Sequence, residues 1–309
     1  MFYNPYGVGS KPEYVFCLKA DYIESSHANN TGMAKFVNNC VYDTKTPSQL
    51  ADSDCRVTIN GFPIEVYMNG KYLGVYNFNH DRYSYQSYGY DYNKNPNMLV
   101  YEINSNSNTS AGAFYRYGDN AESSANISEL DYYKRDFKLI YGSRTTESDT
   151  YSEIKTLVEW VSVAEQDLFR ETISEHFNKE YLFRYFLVVL MIGAVDSLGK
   201  NLKLNTWDGK IWYPTFYDMD TVLGIDNTGY LTIMPDVEIE DGSYNTSNSN
   251  LWNKVWNFFR LELQEEWAKM RQGNFTLDNL MKYIYEEQIS KIPSKMYNDD
   301  KELSSINPF

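Results

Sequence analysis

Cysteine and histidine are scarce in this chain, and no apolar run reaches membrane-spanning length. Its three cysteines (Cys17, Cys40 and Cys55) cannot all pair and show no CxxC spacing. That argues against a disulfide framework or a zinc site and for thiols kept reduced. The three histidines (His27, His80 and His176) are far apart in sequence, which argues against His-based metal or triad chemistry. Residues 181–193 (YLFRYFLVVLMIG) are apolar nearly all round but too short to cross a bilayer, so a buried helix is predicted and no membrane insertion. The start, MFYNP, has neither the basic nor the apolar region of a secretory leader, and cytoplasmic synthesis is expected. Basic residues are also few: 28 Lys and Arg face 42 Asp and Glu, for a net charge of −14. Nucleic acid is therefore not expected as a partner, because phosphate binding needs a basic surface.

Tyrosine, by contrast, is abundant, at 29 residues. A surface rich in Tyr, Asn and acid suits packing against protein partners, and a base-biased genome gives the same composition. The patterning is β-rich early and α-rich later. Residues 14–20 alternate like a strand, with Lys19 near the end, and a helix is predicted over 27–41. Residues 56–59, 64–68, 72–78 and 99–103 read as strands, with Asn69-Gly70 as a hairpin turn. Residues 105–128 and 230–250 read as loops. Helical periodicity covers 152–165, 167–177, 179–193, 251–271 and 277–292. The recurring Trp252, Trp256, Phe259 and Trp267 are read as core packing or a partner face. The expected architecture is α+β and bilobal: a small β-rich lobe over 1–115 and a larger, mainly helical lobe over 116–309.

Residues 192–229 hold the candidate chemistry. Asn201 follows Asp196 by five positions, and Asp218 and Asp220 lie in Tyr-Asp-Met-Asp. Residues 201–207 and 211–216 predict two strands joined by Asp208-Gly209. That hairpin turns Asn201 back toward 217–220, so three carboxylates and a carboxamide can converge. Such hard oxygen ligands suit Mg²⁺, which keeps waters and substrate phosphates in its shell. An Asp, an Asn five residues on and an acidic residue beyond a hairpin is also the spacing of protein kinases. There the first Asp orients the hydroxyl nucleophile, and the Asn and last Asp hold the metal. The plain alternative is a turn-capping Asp196 and a polar loop at 218–220, since Asp-x4-Asn is common by chance.

Three blocks carry a family resemblance: FCLKADYIESSH at 16–27, YMNGKYLGVY at 67–76 and WYPTFYDMD at 212–220. In this order they resemble the CotH-type (spore-coat protein H) atypical kinases, over about residues 10–260. The resemblance implies a divergent protein-kinase-like fold, ATP with Mg²⁺ or Mn²⁺, and phosphoryl transfer to Ser or Thr of partner proteins. It implies Asp196 as the catalytic-loop aspartate and Asn201 as its metal- and cofactor-binding asparagine. Asp218 and Asp220 become the metal aspartates, and Lys19 the nucleotide-phosphate lysine, a point charge on the phosphates. An ordinary strand-end lysine is the bland alternative for Lys19.

The sequence departs from the family at two places. The N-terminal strands of the small lobe are expected to be missing. Where the family commonly has an acidic residue after the Gly-Val-Tyr of 74–76, this chain reads Asn77-Phe-Asn-His80-Asp81-Arg82, so that residue is replaced or shifted. Glu24 and Glu102 are the candidate ion-pair partners of Lys19. The resemblance leaves two functions open: an active kinase, or a catalytically silent scaffold in a virion, tail or spore-coat-like assembly. The acidic run at 236–242 lacks a calcium-loop pattern and is read as a solvated loop.

Overall fold

The computed structural model describes residues 4–7, 9–40, 44–91, 93–103, 114–118, 127–142, 146–226, 228–231 and 249–303. The loops read at 105–128 and 230–250 fall largely, and the acidic run at 236–242 wholly, outside the described residues. By contacts the chain forms two compact units. One joins Met1–Gly89, Phe216–Pro235 and Met270–Phe309, and the other joins Tyr90–Thr215 and Asp236–Lys269. Residues 99–102 pair with 203–206 inside the second unit, and the first unit includes two segments beyond residue 115.

The first unit is built on a three-stranded antiparallel sheet of β1 (Phe16–Lys19), β2 (Gly61–Met68) and β3 (Lys71–His80), in the order β1-β3-β2. Asn69 and Gly70 both take positive φ (52° and 77°), the geometry a two-residue hairpin turn needs. Helix α1 (Asn29–Cys40) follows β1, and the short α2 (Pro47–Ala51) starts in a capping box at Thr46. Residues 56–59, predicted as a strand, form none. Thr58 Oγ1 instead donates to Ala34 O at 3.0 Å, and Val57 N donates to Asn38 Oδ1 at 3.3 Å. The apolar alternation there reflects burial beneath α1, with Val57 and Ile59 each 2% exposed.

The C-terminal segment braces α1. Phe36 packs on Phe275 at 4.9 Å, and Thr31 Oγ1 donates to Gln288 Oε1 at 2.9 Å. Lys35 lies 3.4 Å from Glu287. The single helix predicted over 277–292 is a short helix, Leu277–Met281, followed by a π-turn (Lys282–Glu286) and a 3₁₀ turn (Ile289–Lys291). A last helix, Ser294–Leu303, binds β3 through Asp300, which accepts from Val75 N and lies 2.8 Å from His27 Nε2. Gly74 (φ 131°) makes room for it, since a Cβ there would sit 2.3 Å from Asp300 Oδ1.

The second unit holds a four-stranded antiparallel sheet, β5-β4-β6-β7, of β4 (Leu99–Ile103), β5 (Phe137–Tyr141), β6 (Leu202–Thr206) and β7 (Trp212–Phe216). The strand at 99–103 and the hairpin around Asp208-Gly209 form as predicted. The helices at 152–165, 167–177 and 179–193 appear as Glu147–Val163, Gln166–His176 and Lys179–Ile192. The last is buried along most of its length, as its all-round apolarity requires. The helix predicted over 251–271 breaks at Phe259 into Asn250–Phe258 and Arg260–Gln272. Trp252 and Phe259 are core residues, 0% and 1% exposed. Across the described residues the fold is α+β, and no helix is long and apolar enough to cross a membrane.

Candidate functional site

Lys19 ends β1 with its ammonium among three carboxylates of the first unit. It donates to Asp218 Oδ1 at 2.5 Å and lies 3.4 Å from Asp21 and 3.9 Å from Asp220. The sequence assignments of Lys19, Asp218 and Asp220 thus come together around one point. Neither Glu24 nor Glu102 is shown as the partner of Lys19. Glu24 accepts from Ser26 N, at 2.8 Å, and from Asn29 N, at 2.9 Å, and so caps the start of α1. Glu102 lies in the second unit, opposite Lys203 in the β4–β6 ladder.

Asp21 is a further partner of Lys19 that no sequence motif marks. It is 6% exposed and held at φ 43°, a left-handed conformation that Asp tolerates better than most residues. Its other oxygen accepts from Asn77 Nδ2 at 2.6 Å. Asn77 also donates to His27 O at 2.6 Å, and its Oδ1 lies 3.1 Å from Thr31 Oγ1. This explains the departure at 77. A carboxylate there would face Asp21 at hydrogen-bond distance with like charge, whereas the amide donates to it.

Burial opposes the charged form of Lys19, but Asp218, Asp21 and Asp220 outweigh it and hold the ammonium well above the usual lysine range. Burial, then the charge of Asp218, pushes the Asp220 carboxyl up to about 6, against the pull of Lys19. Burial also raises Asp21.

A carboxyl raised in the folded state stabilises the fold below its unfolded value and loses that contribution as pH rises through the folded value. Asp220 is therefore expected to contribute up to ~3 kcal/mol near pH 4 that is gone above pH 7. Urea midpoints measured from pH 4 to 7.5 check this: they should fall with rising pH, and fall less in Asp220→Asn.

Asp196 and Asn201 belong to the second unit. Asp196 sits in the 3₁₀ turn Val195–Leu198, 3.2 Å from Lys200. Two buried aromatics pin that turn: Tyr185 Oη donates to Ser197 O at 2.5 Å, and Trp252 Nε1 to Leu198 O at 2.6 Å. Asn201 is left-handed (φ 45°) just before β6. The turn sequence is thus built to hold a short polar segment at the strand entrance.

Among the described residues no group of three His, Cys, Asp or Glu side chains is arranged to enclose a metal. The donor set still fits Mg²⁺ or Mn²⁺, since Mg²⁺ is commonly bound by one or two carboxylates plus phosphates and waters. Crowding that raises the Asp220 carboxyl is also what a divalent cation would relieve.

The CotH kinase protein family matches residues 56–307 of the chain. The chain belongs to that family, whose members are kinase-like. Lys19 and Asp21 precede the matched region, so their place beside Asp218 and Asp220 rests on the geometry above. A comparison with curated proteins finds no match.

Proposed function

We propose that the chain binds ATP with Mg²⁺ or Mn²⁺ and transfers a phosphoryl group to Ser or Thr hydroxyls of partner proteins. The observation that carries this reading is the Lys19–Asp218 pair, with Asp220 and Asp21 beside it. A lysine on a strand and two aspartates after a hairpin are the parts that hold nucleotide phosphates and their metal. Asp218 and Asp220 would hold the cation, which when bound neutralises charge on the phosphates. Lys19 would turn from the carboxylates to the phosphate oxygens. The family resemblance gives Asp196 the role of base toward the acceptor hydroxyl and Asn201 that of a further metal ligand.

Transfer of labelled γ-phosphate to the chain itself or to a serine-bearing protein tests the reading. Asp196→Asn is expected to lower transfer by about 10²–10⁴-fold, the range for a lost general base, with ATP binding retained. Equal labelling by wild type and variant would remove Asp196 from the chemistry.

A further inference from the structure

We infer that Asn30 is a positioning residue for the metal aspartate Asp218, acting from the first turn of α1; this rests on the metal–nucleotide reading above. Asn30 is 2% exposed and uses both ends of its carboxamide on one short segment. Its Nδ2 donates to Asp218 Oδ1 at 2.9 Å, and its Oδ1 accepts from Met219 N at 3.2 Å. The neighbouring Asn29 donates from Nδ2 to Asp220 O at 3.3 Å. Two consecutive asparagines therefore bracket residues 218–220 from a helix nearly 190 positions away in sequence.

The bracket fixes one oxygen of Asp218. Lys19 and Asn30 both donate to Oδ1. Among the described residues Oδ2 accepts no hydrogen bond, which leaves it as the oxygen presented to a cation. The amide chemistry at position 30 also matters. Asp21, Asp218 and Asp220 already crowd Lys19, and a fourth carboxylate at 30 would repel them all, whereas a neutral amide donates to Asp218 and, at 3.5 Å, reaches Asp21. Met219 is 1% exposed, so its amide needs the acceptor that Asn30 supplies. An outer partner of this kind orients a metal ligand, and its loss typically weakens metal affinity 10–100-fold.

The test is Mg–ATP and Mn²⁺ binding by calorimetry, from pH 5.5 to 8, with Asn30→Ala, Asn30→Asp and Phe36→Leu. Phe36 packs in the α1 core against Phe275, so its truncation destabilises the same helix without removing a hydrogen bond to 218–220. Both Asn30 variants are expected to bind at least ~10-fold more weakly than wild type. In Asn30→Asp the acid limb of binding should also move to higher pH, because an added carboxylate raises its neighbours. Phe36→Leu should lower Tm comparably and keep wild-type affinity and pH profile. Wild-type affinity and an unmoved acid limb in both Asn30 variants would overturn the positioning role alone. Equal weakening in Phe36→Leu would do the same, by showing a general effect of α1 stability. Absence of binding by folded wild type would overturn the nucleotide reading, and the role with it.

Discussion

Asp218→Asn is expected to abolish metal-dependent ATP binding while leaving the first unit folded. Asp218 takes the shortest contact from Lys19, and in the proposed site it is the principal cation ligand. The amide keeps an oxygen that can accept from Lys19 and Asn30, so packing is preserved. It loses the charge a divalent cation requires, and more than the ~10–100-fold typical of a lost outer partner is expected. Stability should change little, by about 1 kcal/mol or less, because the variant removes one carboxylate from a crowded set as well as one ion-pair partner. Asp220 supplies a second readout. The charge of Asp218 is the second cause of its elevation, after burial. In the variant the Asp220 titration should move down toward the ordinary carboxylate range, and the decline of stability with pH should flatten. Calorimetry and carboxyl NMR check the two halves. Retained Mg–ATP affinity would remove Asp218 from the site.

Lys19→Met is expected to be the most destabilising change at the site, and to be so in a pH-dependent way. Removing one partner of a buried ion pair costs about 3–5 kcal/mol because the other charge is left uncompensated. The Lys19 side chain is 30% exposed, so solvent screens part of this, and about 1–3 kcal/mol is expected near pH 7.5. Without the ammonium, Asp21 and Asp220 rise further above their unfolded values. Their neutral forms then carry the fold, so the loss should be small near pH 5 and grow as pH rises. Urea unfolding at pH 5 and 8 measures the difference. A loss independent of pH would mean that Lys19 acts through packing of its stem rather than through charge.

Much of the fold could be read from local chemistry. The Asn69-Gly70 and Asp208-Gly209 turns and the apolar helix ending at Ile192 each have a signal within a dozen residues, and each formed. The breaks at Phe259 and after Met281 did not show in the pattern, because amphipathic periodicity continues across them. The proposed site was half visible. Lys19, Asp218 and Asp220 stood out by residue type and motif, and the family shown by residues 56–307 agrees with the resemblance read from the blocks. Asp21, Asn29 and Asn30 did not stand out. An Asp after a strand and two Asn near a helix start carry no local signal of a site, and only long-range packing turns them toward Lys19 and 218–220. The one available signal was Asn77, an amide where a carboxylate is usual, which implied a carboxylate nearby to receive its hydrogen bond.

We propose the Lys19–Asp218–Asp220 cluster as a nucleotide–metal site. Calorimetric titration of the folded wild-type chain with ATP, at pH 7.5, with and without Mg²⁺ or Mn²⁺, tests it most directly. Saturable binding that requires the metal, and that weakens as pH falls through 6 where Asp220 takes up its proton, is the predicted result. Absence of any metal-dependent binding in well-folded protein would contradict it, and would leave the kinase-like fold serving as a scaffold.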